Sequence, residues 1–203
     1  MSVYQVLSEK KNLVDFDGEW KETIGNPELS GSWIIWGQSS NGKTSFALML
    51  AKYLCSYGKV LYNSLEEGTS RTMQIAIDRA RMKDVARRFV ILPGEPIEDL
   101  IYRLSLKKSP QIVFIDSLQY TDLNYSNYKK LKKQFSNKLF VFISHAEGNL
   151  PEGRLANKIR YDANVKIRIE GYRAIINSRF SESNHTSNYI TIWQEGAERY
   201  WGE

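Results

Sequence analysis

From about residue 30 onward, short apolar runs alternate with longer segments whose apolar residues recur at helical spacing. The runs are continuously apolar, which is typical of strands that helices cover on both faces. Alternation of the two types predicts an α/β fold in which helices flank a mostly parallel central sheet. The predicted strands are 32–37, 59–65, 88–93, 111–116 and 139–144, and the predicted helices are 44–58, 69–82, 96–108 and 127–135.

The pattern changes after residue 144. A polar stretch containing glycine is followed by an apolar segment in which Gly171-Tyr172 could turn a hairpin, and by a last apolar run at 189–193. We therefore expect a C-terminal antiparallel extension of the same sheet, with 181–188 as a connection. The expected single domain, 1–203, comprises a lead-in packed on the first strand (1–30), a nucleotide-binding core (31–145), a loop that could contact DNA (146–164) and antiparallel strands (165–203).

Composition narrows the class of protein. The 203 residues are 42% apolar and 25% charged, which suits one globular domain and excludes a collagen-like or mostly disordered chain. One cysteine excludes a disulfide framework and a cysteine-rich zinc site, and it favours a reducing, cytoplasmic location. No apolar run approaches the roughly 18 residues of a membrane span, so we expect neither secretion nor a membrane partner.

Residues 37–44 match the pattern G-x-x-x-x-G-K-[ST] and lie between a predicted strand and a predicted helix. Such a loop turns successive backbone N–H groups toward phosphates, and the helix N-terminus adds a favourable dipole. Lys43 would reach the β and γ phosphates, and the Thr44 hydroxyl would bind Mg²⁺. The predicted nucleotide-binding residues are Gly37, Gln38, Ser39, Ser40, Asn41, Gly42, Lys43, Thr44 and Ser45.

Carboxylates follow two of the other predicted strands. Asp116 ends one strand and could hold the metal, or could cap the following turn. Ser117 follows Asp116, so the group that activates water must come from elsewhere in the chain. Glu66 and Glu67 end the strand after the phosphate-loop helix and are candidates, with exposed loop carboxylates as the alternative.

These motifs together resemble the RecA-like ATPases, and within them the RadA (Sms) and DnaB-type helicase branch. Residues 61–67, L-Y-N-S-L-E-E, are similar to the RadA sequence L-Y-V-S-G-E-E, and residues 115–119, I-D-S-L-Q, are similar to I-D-S-I-Q. The resemblance implies a RecA-like fold, ATP and Mg²⁺ as cofactors, Glu66 as the catalytic glutamate and Asp116 as the metal carboxylate.

Two further residues are assigned by the resemblance. His145 ends the fifth strand where RadA has G-H, which implies a γ-phosphate sensor that signals to the following DNA-contacting loop; the alternative is a histidine that caps a strand. Residues 177–180, N-S-R-F, are similar to the RadA K-N-R-F, which implies that Arg179 enters a neighbouring subunit's nucleotide site. Asn177 and Ser181 depart from that pattern, and an exposed strand arginine is the alternative.

Positive charge is concentrated in the second half of the chain. Residues 124–180 carry a net charge of +8, while the remainder carries −3. This distribution favours contact with single-stranded DNA, although a solvated basic helix face is the alternative. The candidate contacts are Lys129, Lys130 and Lys132 on the predicted helix, and Arg154, Lys158 and Arg160 in the expected loop.

The leading hypothesis is a DNA-dependent ATPase that forms rings or filaments and acts in recombination, repair or replication. The compact core favours a phage or mobile-element source. One alternative is a nucleotide-dependent assembly, loader or regulatory module with little DNA contact, and another is a signalling ATPase similar to KaiC.

Overall fold

The computed structural model describes residues 2–9, 13–181 and 188–203, so most of the expected 181–188 connection lies outside the described residues. Its strands form one mixed sheet in the order β3-β2-β4-β5-β1-β7-β8-β9, with β6 paired to β5. The strands are β1 (Gly31–Gly37), β2 (Val60–Ser64), β3 (Phe89–Leu92), β4 (Ile112–Asp116), β5 (Leu139–Glu147), β6 (Leu150–Pro151), β7 (Val165–Glu170), β8 (Arg173–Ser178) and β9 (Tyr189–Thr191). The helices are α1 (Val3–Ser8), α2 (Gly18–Ile24), α3 (Lys43–Leu54), α4 (Arg71–Arg79), α5 (Ile97–Ser105), α6 (Tyr125–Gln134), α7 (Arg154–Asp162) and α8 (Gln194–Trp201).

The sheet from β3 to β7 is parallel, which confirms the predicted α/β architecture. Its strands are apolar because both faces are covered. In β1, Trp33 and Ile35 belong to one apolar cluster with α3, whereas Ile34 and Trp36 belong to another with α5, α6 and α7. The parallel arrangement brings the carboxyl ends of β1, β2, β4 and β5 to one edge of the sheet.

The expected loop at 146–164 is wrong over much of its length. Strand β5 continues to Glu147 and forms a short hairpin with β6, and nine residues then form α7. The helix forms because Ala156 and Ile159 are one turn apart and bury against the sheet. Asn157 adds a side-chain hydrogen bond to the carbonyl of Pro151 at 2.7 Å, which fixes the hairpin against the helix.

The C-terminal extension is antiparallel only from β8 onward. Because α7 crosses over the sheet, β7 returns parallel to β1, and β8 and β9 then add antiparallel strands. The predicted hairpin turn is confirmed: Gly171 and Tyr172 both have positive φ values, 52° and 58°. Helix α8 was not expected, since its sequence contains a glycine and buries only Gly196 and Ala197.

The lead-in packs on α3 and the β8 side of the sheet, and not simply on the first strand. Trp20 of α2 stacks on Tyr53 of α3 with ring centroids 5.0 Å apart, and the Tyr53 hydroxyl donates to the Asp17 carboxylate at 2.7 Å. Ser178 at the end of β8 donates to the carbonyl of Ile24 at 2.7 Å. No helix in the described parts of the chain is both long and apolar enough to cross a membrane.

Candidate nucleotide site

The phosphate loop leaves β1 at Gly37 and enters α3 at Lys43. A Cβ on Gly37 would lie 2.6 Å from the carbonyl oxygen of Ile169, so only glycine allows β7 to approach this closely. Gly42 precedes the helix with φ of 93°, a left-handed conformation that suits glycine. The N-terminus of α3 therefore faces the space in front of the loop, where it can attract an anion.

Asn41 connects this loop to the β7–β8 turn. The backbone N–H of Gly171 donates to Asn41 Oδ1 at 3.0 Å, and Asn41 Nδ2 donates to the carbonyl of Ser39 at 3.2 Å. The sequence motif leaves this position variable, so the contact could not be predicted from it. The consequence is that the C-terminal extension helps to set the shape of the phosphate loop.

Asp116 lies at the end of β4, buried behind the loop at 5% exposure. Burial raises the pKa of this carboxyl to about 6, against a hydrogen bond from Tyr62, while the charge on Glu66 raises it further and Lys43 opposes the rise. The Tyr62 hydroxyl donates to Asp116 Oδ2 at 2.5 Å and orients the carboxylate.

The donor set suits magnesium. Asp116 and the Thr44 hydroxyl offer oxygen ligands, which Mg²⁺ prefers, and the nearby carboxylates of Glu66 and Glu67 leave negative charge for a cation to balance. In nucleotide sites Mg²⁺ is commonly bound by one or two protein groups and by the phosphates.

The two adjacent glutamates occupy different places. Glu67 Oε1 accepts a hydrogen bond from the Thr44 hydroxyl at 3.4 Å, and Glu67 Oε2 accepts one from Thr72 at 2.6 Å. Glu66 Oε2 instead lies 2.9 Å from His145 Nε2. Glu67 is therefore engaged beside the candidate magnesium hydroxyl, whereas Glu66 faces the candidate sensor.

His145 is linked to the β5–β6 hairpin. Its Nδ1 lies 3.5 Å from Glu152 Oε2, and the backbone N–H of Glu152 donates to the His145 carbonyl at 2.9 Å. Gln119 accepts from the His145 N–H at 3.2 Å and donates to Ser144 Oγ at 2.9 Å. Glu152 was not identified from sequence, because it becomes a neighbour of His145 only through the hairpin.

A cavity of about 500 Å³ opens beside Gly42 and Ser45, between α3, α4 and the C-terminal extension. Sequence reasoning missed its outer wall because Tyr172, Ile192 and Trp193 are far from the phosphate loop in sequence. The positive φ of Tyr172 in the hairpin turn was the available signal for a constrained position. The other side chains used below are Met49 and Arg79.

Arg179 lies at the opposite edge of the sheet from its own phosphate loop. Ile169 pairs with Gly37, whereas Ser178 pairs with Val165 at the other end of β7. The exposed Arg179 guanidinium donates to the carbonyl of Tyr161 at 3.3 Å. The structure thus separates Arg179 from the phosphate loop, Asp116 and the glutamates of the same chain.

The basic residues proposed for DNA contact are distributed over α6 and α7. Lys129 and Lys158 converge on the Tyr125 ring, with ammonium nitrogens 5.1 and 4.6 Å from its centroid. Lys132 forms an ion pair with Asp162 at 2.6 Å. Lys130 and Arg154 are exposed, and the guanidinium of Arg160 lies 4.8 Å from the Tyr161 ring centroid.

Replacing Asp116 with asparagine should stabilise the metal-free and nucleotide-free protein above pH 6. The raised folded-state pKa means that ionised Asp116 opposes folding at high pH, and this penalty vanishes below pH 4, where folded and unfolded states are both protonated. Asp116→Asn should gain on the order of 2–3 kcal/mol in unfolding free energy at pH 8 with EDTA, and almost nothing at pH 4. Equal stability of the two proteins at pH 8, measured by urea unfolding, would contradict this expectation.

No protein-family model matches the chain. Reverse gyrase 1 of Aquifex aeolicus (strain VF5) is 29% identical over 170 residues, which are 77% of this chain and 14% of reverse gyrase. The chain therefore spans only a small part of the length of that protein.

Two solved structures share the fold. The flagellar accessory protein FlaH from Methanocaldococcus jannaschii superposes with a TM-score of 0.58 at 18% identity, covering 87% of this chain and 92% of FlaH. The ATPase domain of a DnaB-like helicase gives a TM-score of 0.61 at 17% identity and covers 88% of each chain. With the observed sheet topology and phosphate loop, these likenesses show that the chain has a RecA-like P-loop fold.

Proposed function

We propose that this protein binds ATP with Mg²⁺ and hydrolyses it to ADP and phosphate, as an ATPase of the RecA, RadA and DnaB type. The observation that carries the proposal is the position of four groups at one edge of the parallel sheet. They are the phosphate loop with Lys43, the buried Asp116, Glu66 and His145. Phosphoryl transfer needs positioning and charge stabilisation more than covalent chemistry, and these groups provide both.

Each group has a role that its surroundings support. Lys43 and the loop N–H groups bind the phosphates, and Thr44 and Asp116 hold Mg²⁺, which supplies positive charge against the phosphate oxygens when it is bound. Glu66 accepts a proton from the attacking water, and its carboxylate is oriented by His145 at 2.9 Å. Glu67 is engaged with Thr44 and Thr72 and therefore supports the magnesium side of the site.

His145 is placed to report the γ-phosphate. It lies between Glu66 of the candidate site and Glu152 of the β5–β6 hairpin, so a shift of the imidazole toward phosphate would alter both contacts. The hairpin and the start of α7, rather than a long loop, would receive that signal.

We place Arg179 in the nucleotide site of a neighbouring subunit. Arg179 is too far around the sheet to serve its own site, and a head-to-tail contact between copies would form a ring or filament. Lys166 lies directly across the strand pair from Asn177, where the resemblance predicts a lysine. Burial together with Arg179 and Arg160 lowers the pKa of Lys166, as expected for converging cations that lack a matching anion within the chain.

Single-stranded DNA is the partner that we propose for the α6–α7 surface. Lys129 and Lys158 meet over the ring of Tyr125, which combines two phosphate-binding charges with an aromatic side chain. Lys130 and Arg154 are exposed for further contacts, whereas Lys132 and Arg160 are engaged with Asp162 and Tyr161 and are weaker candidates.

A nucleotide-dependent assembly module is the second candidate function. It is favoured by the likeness to FlaH, a flagellar accessory protein, over 92% of the FlaH chain. In that case ATP would control association between copies, and DNA would leave the ATPase rate unchanged.

Substitutions at the carboxyl edge separate binding from turnover. Lys43→Ala should abolish ATP binding, because the phosphates lose their main side-chain cation. Glu66→Gln should keep ATP binding and lower kcat by about 10²-fold or more, since the general base is lost. Equilibrium binding of a fluorescent ATP analogue and steady-state phosphate release measure the two effects.

Glu67→Gln is the matched control for the general base. It should retain turnover at saturating Mg²⁺ and require more Mg²⁺ for half-maximal activity, because Glu67 contacts Thr44. Normal turnover by Glu66→Gln, or complete loss only in Glu67→Gln, would make the assignment of Glu66 wrong.

Mixed oligomers test whether Arg179 acts between subunits. Arg179→Ala and Lys43→Ala should each be inactive alone, and a 1:1 mixture should recover about a quarter of the wild-type ATPase rate, because random mixing leaves that share of interfaces complete. A mixture of Arg179→Ala with the double variant Lys43→Ala/Arg179→Ala is the control and should stay inactive. Failure of the first mixture to recover activity would exclude the intersubunit role.

The DNA contact predicts a defined salt dependence. Lys129→Ala/Lys158→Ala should weaken binding of oligo(dT) and reduce the slope of log affinity against log salt by about 1.4, because two phosphate contacts are lost. DNA stimulation of the ATPase should fall with the affinity. Lys59→Ala/Lys107→Ala, which removes two exposed lysines from another part of the surface, is the control. A wild-type protein whose ATPase and salt-dependent binding do not respond to DNA would favour the assembly module.

A further inference from the structure

The cavity beside the phosphate loop is placed to hold a nucleoside, if the proposed nucleotide function is correct. It begins at Gly42 and Ser45, where α3 leaves the loop, and its volume of about 500 Å³ is sufficient for a base and a ribose. A nucleotide whose phosphates lie in the loop could therefore extend its base between α4 and the C-terminal extension. None of the residues that line the outer part of this cavity belongs to the phosphate-binding motif.

The walls of the cavity present mainly apolar surfaces. Tyr172 and Trp193 stand nearly perpendicular, with ring centroids 5.0 Å apart and an interplanar angle of 82°. Met49 and Ile192 add aliphatic surface. Trp193 is 45% exposed, so part of its ring surface remains open to a ligand. Such surfaces bind the face of a base, and every base has an aromatic face.

The polar groups of the cavity are few and of one kind. Among the described side chains that line it, none is a carboxylate or an amide; Arg79 offers N–H donors and Ser45 a hydroxyl. The exposed Arg79 guanidinium forms no hydrogen bond with the described part of the chain. Arginine donates hydrogen bonds but cannot accept them.

This chemistry matters because adenine and guanine differ at the edge of the ring. Adenine presents an amino group at position 6, which needs an acceptor, whereas guanine presents O6, which needs a donor, and N7 accepts in both. Arg79 can donate to N7 of either purine and to O6 of guanine. A carboxylate or amide side chain that would select the adenine amino group is missing from the described lining.

We propose that the nucleotide site binds purine nucleoside triphosphates without selecting adenine, through stacking against Trp193 and Tyr172 and donation from Arg79. GTP is then a substrate of the same site as ATP. Sites built to hydrogen-bond one substrate group discriminate by 10⁴-fold or more, so weak discrimination is a distinct outcome.

Competition binding tests the proposal directly. ATP, GTP and inorganic triphosphate would each displace a fluorescent ATP analogue from the full chain in the presence of Mg²⁺. We expect the dissociation constants of ATP and GTP to agree within tenfold. Binding of ATP more than tenfold tighter than GTP would overturn the proposal.

Two variants test the named contacts. Trp193→Ala should weaken ATP and GTP by a similar factor and leave inorganic triphosphate unchanged, because only stacking is lost. Arg79→Leu should weaken GTP at least threefold more than ATP, because guanine loses a donor to O6. Arg71→Leu changes another exposed arginine of α4, outside the cavity lining, and should leave all three ligands unchanged. An unchanged ATP-to-GTP ratio in Arg79→Leu would remove Arg79 from base recognition.

The failure of this proposal is distinguishable from failure of the proposed function. If neither nucleotide displaces the analogue, or if Lys43→Ala binds as well as wild type, nucleotide binding at the phosphate loop is wrong. If ATP binds through Lys43 and GTP does not compete within tenfold, the function stands and the absence of adenine selection is wrong.

Discussion

The parallel pairing of β1 between β5 and β7 is the constraint on which the rest of the structure depends. It places Gly37 beside His145 on one side and beside Ile169 on the other, so the phosphate loop, the sensor candidate and the β7–β8 turn leave the sheet at the same edge. Strand β4 adds Asp116 to that edge through its pairing with β5. Polar groups from distant parts of the chain are brought together because backbone hydrogen bonds fix their strands in register.

The cost of this arrangement falls on Asp116. A buried carboxylate beside two glutamates is unfavourable without a cation, and its raised pKa expresses that cost. Lys43 and the Tyr62 hydroxyl offset it in part. The site is therefore electrostatically prepared for Mg²⁺ and phosphate, and it sacrifices stability of the free protein for affinity toward its ligands.

The C-terminal extension has two relations to this edge. Through Gly171 it contacts Asn41 of the phosphate loop, and through Tyr172, Ile192 and Trp193 it forms one wall of the cavity. The same extension carries Arg179 and Lys166 at the opposite end of its strands. Binding at the phosphate loop and contact between copies would thus act on one pair of strands.

Sequence alone determined the parallel core and most of the carboxyl edge, because continuous apolar runs and the local motif around Lys43 are short-range signals. It also located Glu66, Glu67, Asp116 and His145 at strand ends. Only the tertiary structure decided that Glu66 faces His145 while Glu67 faces Thr44, since side-chain direction depends on the turn after β2. Helix α7, helix α8 and the cavity wall were likewise decided by packing, because few of their residues are apolar and their contacts join segments more than 100 residues apart in sequence.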